Sequence, residues 1–278
     1  MFPERNIASL MPVLHDPVAV SLGGFDIRWY ALFILGGMIG AITLSYLLAE
    51  IRSRETPGIT GDFLLDIAPP VVILGLVGAR LYYVLLKWDY FVDHLDEAIN
   101  VRSGGMTIHG GLVAGVLTIW WLCRRARQPF FTWIDLIAPG VAIGQAIGRW
   151  GNWANQEAFG TPTDLPWAVK IDLGRRPEGY EQNETFHPTF LYESIFNVAN
   201  AILLSWLVLR VPKTRWLRDG DVAGVYLILY GAVRFLIERI RTDSLYIGTL
   251  PAAYWLSFGL IGAGLLLIVG RRMGESQA

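Results

Sequence analysis

Cysteine is almost absent: the chain has one, Cys123, beside Arg124 and Arg125. A single thiol forms no intrachain disulfide, and no C-x-x-C pair exists to hold a metal or run redox chemistry. Cys123 is read as an inert core residue. Excess charge is missing too. Lys plus Arg number 23 and Asp plus Glu 24, a formal net charge of -1 that argues neither for nor against nucleic acid, and no nucleic-acid partner is expected. The chain lacks a P-loop, a GxGxxG after a strand, an HExxH and a GxSxG serine. Its four histidines, His15, His94, His109 and His187, have no ligand spacing, so no metal and no cofactor is expected. Internal repeats are absent, which removes the inverted-repeat signature of many transporters. The N-terminal stretch MFPERNIASLMPVLHDPVAVSLGGF has no basic segment followed by an apolar core and a small-residue cleavage site. It is read as retained and lying along a membrane interface.

What the chain has is apolar length. Of 278 residues 53% are hydrophobic, and the mean hydropathy is +0.42. Blocks of about 18 or more apolar residues can cross a bilayer. Seven such spans fall at roughly 28–49, 63–86, 105–123, 131–150, 188–210, 221–240 and 250–270. The expected fold is therefore an all-α polytopic membrane protein, one integral membrane domain over residues 1–278. Pro69, Pro70, Pro139 and Gly140 should kink their spans. Basic residues set the orientation. Arg52, Arg54, Arg124, Arg125, Arg127, Arg210, Lys213, Arg215, Arg218, Arg271 and Arg272 follow alternate spans, all on one side. That side is cytoplasmic, so the N-terminus is outside and the C-terminus inside. Two outer segments remain. Residues 87–104 read as an arm on the membrane, and residues 154–187, with the strand-like WAVKI, as a small outer cap.

Ionisable groups inside spans cost several kcal/mol each and so have a partner or a task. In VAGVYLILYGAVRFLIERIR, Tyr230, Arg234, Glu238 and Arg241 fall on one face of a helix. Arg234 and Glu238 can satisfy one another as a structural pair, although apolar residues would cost less there. Arg149 closes the fourth span. A lone interfacial arginine can snorkel, but snorkelling does not need Asn152, Asn155 and Glu157 beside it. His109 lies in GGMTIHGG, where a histidine is more often a satisfied core residue; its flanking glycines allow another backbone or a ligand to approach closely. His187, Tyr192 and Glu193 open the fifth span. Tyr30 begins the first, where an aromatic-belt role is the plain alternative. All belong to the outer half of the bundle, while the inner half offers only surface charge and Asp135.

Arginines at membrane depth suit a phosphate, because a guanidinium stays charged and donates two parallel hydrogen bonds. The phosphates available there are on phospholipids. A phospholipid-dependent enzyme and a phospholipid or small-anion transporter both fit. A transporter should also carry polar groups through its inner half. A membrane scaffold would leave the polar cluster without a use.

The stretch GRWGNWANQEAFG, residues 148–160, with GGMTIHGG, HPTFLYE and YGAVRFLIERIR, resembles the bacterial prolipoprotein diacylglyceryl transferases, over nearly the whole length. The spacing G-R-x-G-N-x-x-N-x-E-x-x-G is highly specific. Trp153 and Ala154 depart from the family's usual phenylalanine and bulky aliphatic, at what read as packing positions. The resemblance implies transfer of the diacylglyceryl group of phosphatidylglycerol to the lipobox cysteine of a preprolipoprotein, in the bacterial inner membrane, at a site facing the outer leaflet. It implies His109, Arg149, Arg234 and Tyr230 as catalytic. His109 is the candidate base, with Tyr230 the alternative. Tyr30, Asn152, Asn155, Glu157, Gly160, His187, Tyr192, Glu238 and Arg241 are implied to bind substrate. The nucleophile comes from the substrate, so the enzyme needs no reactive cysteine.

Overall fold

The computed structural model describes residue 14 and residues 16–100 and 104–275. The expected interfacial segment at the extreme N-terminus, and His15, lie outside the described residues. The first described element is a hairpin, β1 (Val18–Leu22) and β2 (Phe25–Arg28), turned by Gly23 and Gly24 at φ 56° and 87°. Two adjacent positive φ values are what a tight hairpin demands and glycine supplies without strain. Then come the helices α1 (Trp29–Ser53), α2 (Gly61–Leu86), the single turn α3 (Trp88–Phe91), α4 (Ile108–Arg125) and α5 (Phe130–Asn155). A short hairpin follows, β3 (Val169–Lys170) with β4 (Thr185–Phe186), then α6 (Thr189–Arg210) and α7 (Asp221–Glu238). The hairpin β5 (Tyr246–Ile247) with β6 (Leu250–Pro251) leads into α8 (Ala252–Glu275).

Among the described residues five helices are long and apolar enough to cross a membrane: Trp29–Ser53, Gly61–Leu86, Phe130–Asn155, Thr189–Lys213 and Ala252–Met273. The other two expected spans form α4 and α7, at 18 residues each. That is about 27 Å, close to a hydrocarbon core of about 30 Å. Of these, α4 is the less apolar, carrying His109, Arg124 and Arg125, and α7 carries three charged residues, Asp221, Arg234 and Glu238. The helical surfaces are what lipid requires: Ile39, Ile73, Leu117, Ile202 and Leu266 are all exposed. In α2 and α5 the chain runs through Pro69, Pro70 and Pro139 as continuous helix.

The chain divides into two compact units, Ser45–Ile134 and Met1–Leu44 with Asp135–Ala278, the divisions falling within α1 and α5. In the first unit α2 packs on α4 at small residues. A Cβ on Gly78 would lie 2.7 Å from the Gly110 carbonyl, and one on Gly111 would lie 3.2 Å from that of Gly75. Without a hydrophobic driving force between helices in lipid, such close backbone approach is what holds them. Helix α2 also receives the chain that returns to α4, through Arg80.

In the second unit α1 meets α5 at Gly37 and Gly144, and α7 meets α8 at Gly224 and Gly264. Buried Asp135 on α5 accepts hydrogen bonds from the Gly220 and Ala223 amides at 2.7 and 2.8 Å, satisfying orphan donors at the start of α7. Asp221, also buried, pairs with Arg272 at 2.8 Å. Beyond α5, Phe159, Val169, Ile171, Phe186 and Phe190 form an apolar cluster of their own, against which Trp150, Trp153 and Tyr180 pack. Trp153 and buried Ala154 are thus packing positions.

Candidate functional site

The signature stretch begins as helix. Arg149 and Asn152 are three residues apart on α5 and so share a face; Arg149 Nη1 donates to Asn152 Oδ1 at 3.3 Å. The helix stops because Gln156 and Ala158 take left-handed φ values of 51° and 57°. Such a conformation costs a non-glycine residue energy, and here the side chain holds it. Gln156 is buried, donates to Asp172 Oδ2 at 2.7 Å, and accepts from the Asp172 amide at 2.8 Å. The reversal turns Glu157 back over the helix end. There its Oε1 accepts from Asn152 Nδ2 at 3.0 Å and Asn155 Nδ2 at 3.3 Å. Tyr30, at the start of α1, lays its ring on Gly151 and lies within electrostatic range of Glu157 and Arg149.

The carboxylate that pairs with Arg149 is Glu193 on α6, 4% exposed where the arginine is 21% exposed. Ser194 fixes α6 beside α5, donating to the Ala146 carbonyl at 2.9 Å and accepting from Trp150 Nε1 at 3.2 Å. Sequence reading named Glu193 only as part of HPTFLYE. Its glutamate-in-span signal was available, but its partner was not, because the pairing is set by packing of α6 on α5.

Gly160 forms an isolated antiparallel bridge with Arg241, and its amide donates to the His187 carbonyl at 2.9 Å. A Cβ at Gly160 would lie 2.8 Å from both His187 Cβ and the Ile240 carbonyl, so only glycine fits. His187 Nδ1 is 3.1 Å from the Tyr192 hydroxyl, which accepts from Trp167 Nε1 at 3.0 Å. On α7, Arg234 Nη2 lies 2.7 Å from Glu238 Oε2, an i,i+4 pair, and Tyr230 stacks on Tyr226. The contact is an ion pair by distance without hydrogen-bond alignment, and Arg234 Nη1 is buried with no partner among the described residues. The structural pairing weighed from sequence therefore exists, yet leaves guanidinium capacity unspent.

One expectation needs correction. Arg241 does not share a helical face with Tyr230, Arg234 and Glu238, because α7 ends at Glu238 and Arg241 lies in the extended bridge beyond it. It pairs bidentately with Asp243, at 2.8 and 2.6 Å. Burial by itself would lower the Arg241 guanidinium, but Asp243, with the charges of Glu193 and Glu238, holds it above its ordinary value. Both arginine-pairing glutamates thus lie within electrostatic range of one further arginine. On α6, one and two turns after Glu193, Asn197 and Asn200 are buried with amide atoms that have no hydrogen-bond partner among the described residues.

His109 is the second residue of α4, in the unit Ser45–Ile134, and is exposed. The two glycines after it serve the approach of α2: of the two uses the sequence left open, Gly110 and Gly111 meet another backbone. No group of three or more His, Cys, Asp or Glu suited to a metal occurs among the described residues.

These features define a multi-pass helical membrane protein with arginine–carboxylate pairs and amides in the last turns of α5 and α7 and the first turns of α6. The chain belongs to the prolipoprotein diacylglyceryl transferase family, which it matches over residues 17–270. It is 42% identical over 252 residues to the phosphatidylglycerol–prolipoprotein diacylglyceryl transferase of Finegoldia magna, covering 91% of this chain and 94% of that protein. With the enzyme so named from Synechococcus elongatus it shares 41% over 254 residues, 91% of this chain and 86% of the other. For that of Gloeobacter violaceus the values are 40% over 265 residues, 94% and 96%.

Proposed function

We propose that this chain transfers the diacylglyceryl group of phosphatidylglycerol to the lipobox cysteine thiol of a preprolipoprotein, forming a thioether and releasing glycerol phosphate. The observation that carries the reading is Arg149, fixed between Glu193 and Asn152 in the family's signature stretch. The thiol sulfur attacks the glyceryl carbon, the carbon–oxygen bond to phosphate breaks, and the bonding pair leaves on the phosphate. The diester carries one negative charge and the departing monoester approaches two. Fixed cations therefore bind the transition state more strongly than the ground state. Arg149 and Arg234 are assigned that role. Asn152, Asn155, Glu157 and Glu238 orient them and the headgroup, with Tyr30, Gly160, His187, Tyr192 and Arg241 shaping the surroundings. The thiol, with an unperturbed pKa of about 8.5, gives its proton to a base. His109 is assigned as that base and Tyr230 is the alternative.

The reading carries a topology. Seven helices span the bacterial inner membrane with α4 and α7 among them, the N-terminus outside and the C-terminus cytoplasmic. Residues 87–104 form the interfacial arm and residues 154–187 the outer cap. Purified protein incubated with phosphatidylglycerol and a lipobox peptide should yield a peptide whose cysteine gains a diacylglyceryl mass. Lipid bound or moved across vesicles without that adduct would favour the transporter instead.

A further inference from the structure

Arg80 stands in the apolar run of α2 and is 7% exposed. No carboxylate among the described residues pairs with it. Its guanidinium instead donates to four backbone carbonyls. Nε reaches Ala98 at 2.8 Å, Nη2 reaches Glu97 at 2.7 Å, and Nη1 reaches Gly104 at 2.7 Å and Gly105 at 2.9 Å. One side chain thereby ties Glu97 and Ala98 to Gly104 and Gly105. Gly104 and Gly105 take φ values of 83° and 75°, and a Cβ on Gly105 would lie 2.7 Å from Arg80 Nη1. The rings of Tyr83 and Phe91 flank the guanidinium at 5.6 and 5.4 Å. The titratable neighbours Tyr83, Lys87, Tyr90 and Glu97 line a cavity of about 390 Å³ with it, and the Glu97 carboxylate is engaged by the Tyr90 hydroxyl at 2.9 Å.

The preceding residue completes the clamp. The Ala79 carbonyl accepts from both the Thr107 amide and its hydroxyl, each at 3.1 Å. Thr107 is the N-cap of α4, and His109 follows two residues later. Burying an unpaired charge is costly, and carbonyl dipoles spread over a planar fork are a means of compensating it. Lysine, a point donor, cannot span four acceptors in that plane.

We propose that Arg80 is a positioning residue for the transfer reaction: it sets the entry of the chain into α4 and so holds the His109 imidazole where the thiol proton is taken. The inference rests on the transferase reading and on His109 as base. Loss of Arg80 therefore impairs deprotonation and leaves lipid affinity alone.

The test compares wild type, Arg80→Lys, Gly105→Ala and His109→Ala, purified in detergent, with phosphatidylglycerol micelles and a lipobox peptide from pH 6.5 to 9.5. Gly105→Ala disturbs the clamp from its acceptor side and guards against a failure peculiar to one variant; thermal melting checks that each is folded. At neutral pH Arg80→Lys and Gly105→Ala should lose roughly tenfold or more in kcat, part of the 10²–10⁴-fold a general base contributes. KM for phosphatidylglycerol should stay within about twofold. Both deficits should shrink above pH of about 8.5, where the peptide thiol ionises unaided. Wild-type rates, a deficit equal at every pH, or a raised lipid KM would each overturn the proposal. So would full activity in His109→Ala, since Arg80 would then have no base to position. Failure of the transferase reading is distinguishable, because wild type itself would then form no thioether.

Discussion

Arg149 has three kinds of neighbour: a buried carboxylate, Glu193; an amide, Asn152; and the tyrosine ring of α1 within electrostatic range. A cation held this way needs no reorganisation when charge develops on a phosphate, and that absence of reorganisation is the source of electrostatic catalysis. Arg149→Ala should lower turnover by roughly 10²-fold or more, as loss of one preorganised donor does. Arg149→Lys should recover only part, because an ammonium cannot make two parallel bonds. A snorkelling arginine would behave otherwise, since lysine snorkels nearly as well. Single-turnover transfer to a lipobox peptide separates the two; full activity in the lysine variant would reduce Arg149 to an interfacial anchor and shift the phosphate to Arg234. His109 is read at the same scale. His109→Ala should remove most turnover, by roughly 10²–10⁴-fold, and leave phosphatidylglycerol binding intact. Wild-type turnover at neutral pH would make Tyr230 the first candidate for the base.

At the scale of elements, close helix approach explains the glycines better than ligand approach does. Gly110 faces the Gly78 carbonyl and Tyr82 Cβ so closely that an added methyl must displace backbone. Gly110→Ala should therefore destabilise the α2–α4 pair by about 1–3 kcal/mol, the usual cost of overpacking. Gly259→Ala on α8, where an added Cβ meets nothing within 4 Å, should be neutral or slightly stabilising by helix propensity. Thermal melting in detergent makes the comparison; equal melting of the two variants would mean that α2 and α4 do not depend on this contact. Element ends were the hardest feature to read from sequence. The signature stretch continues α5 for nearly two turns although Gly151, Asn152 and Asn155 are poor helix formers, and the stop is a left-handed Gln156 that no glycine marks. The Arg234–Glu238 pair was legible because helical spacing dictates it, and Asn152 was legible as a neighbour of Arg149. Glu193 was not legible as Arg149's partner, since 44 residues separate them and packing alone joins them. Arg80 carried the same signal as Arg234, an ionisable group within an apolar run, but its acceptors are backbone carbonyls, which no spacing of residue types reveals.

For the whole molecule the proposed orientation rests on basic residues rather than on contacts. Arg52, Arg54, Arg124, Arg125, Arg127, Arg210, Lys213, Arg215, Arg218, Arg271 and Arg272 lie near or just after the C-terminal ends of α1, α4, α6 and α8. With α4 and α7 spanning, all eleven fall on one face, and short basic loops stay cytoplasmic. Arg149, Glu193 and Glu238 then lie toward the opposite face, because α5 and α7 run outward to them and α6 runs inward from Glu193. The proposed orientation needs α4 and α7 as spans: with five, they would no longer reverse the chain, and the basic loops would fall on both sides. Reporter fusions after Arg127, within residues 161–184 and after Arg272 should read cytoplasmic, exterior and cytoplasmic. An exterior signal after Arg127 would remove α4 as a span and put His109 on a segment that need not reach the outer leaflet. A cytoplasmic signal within 161–184 would place Arg149 on the inner face, away from a lipobox cysteine presented outside, and the transfer site as assigned would have to be abandoned.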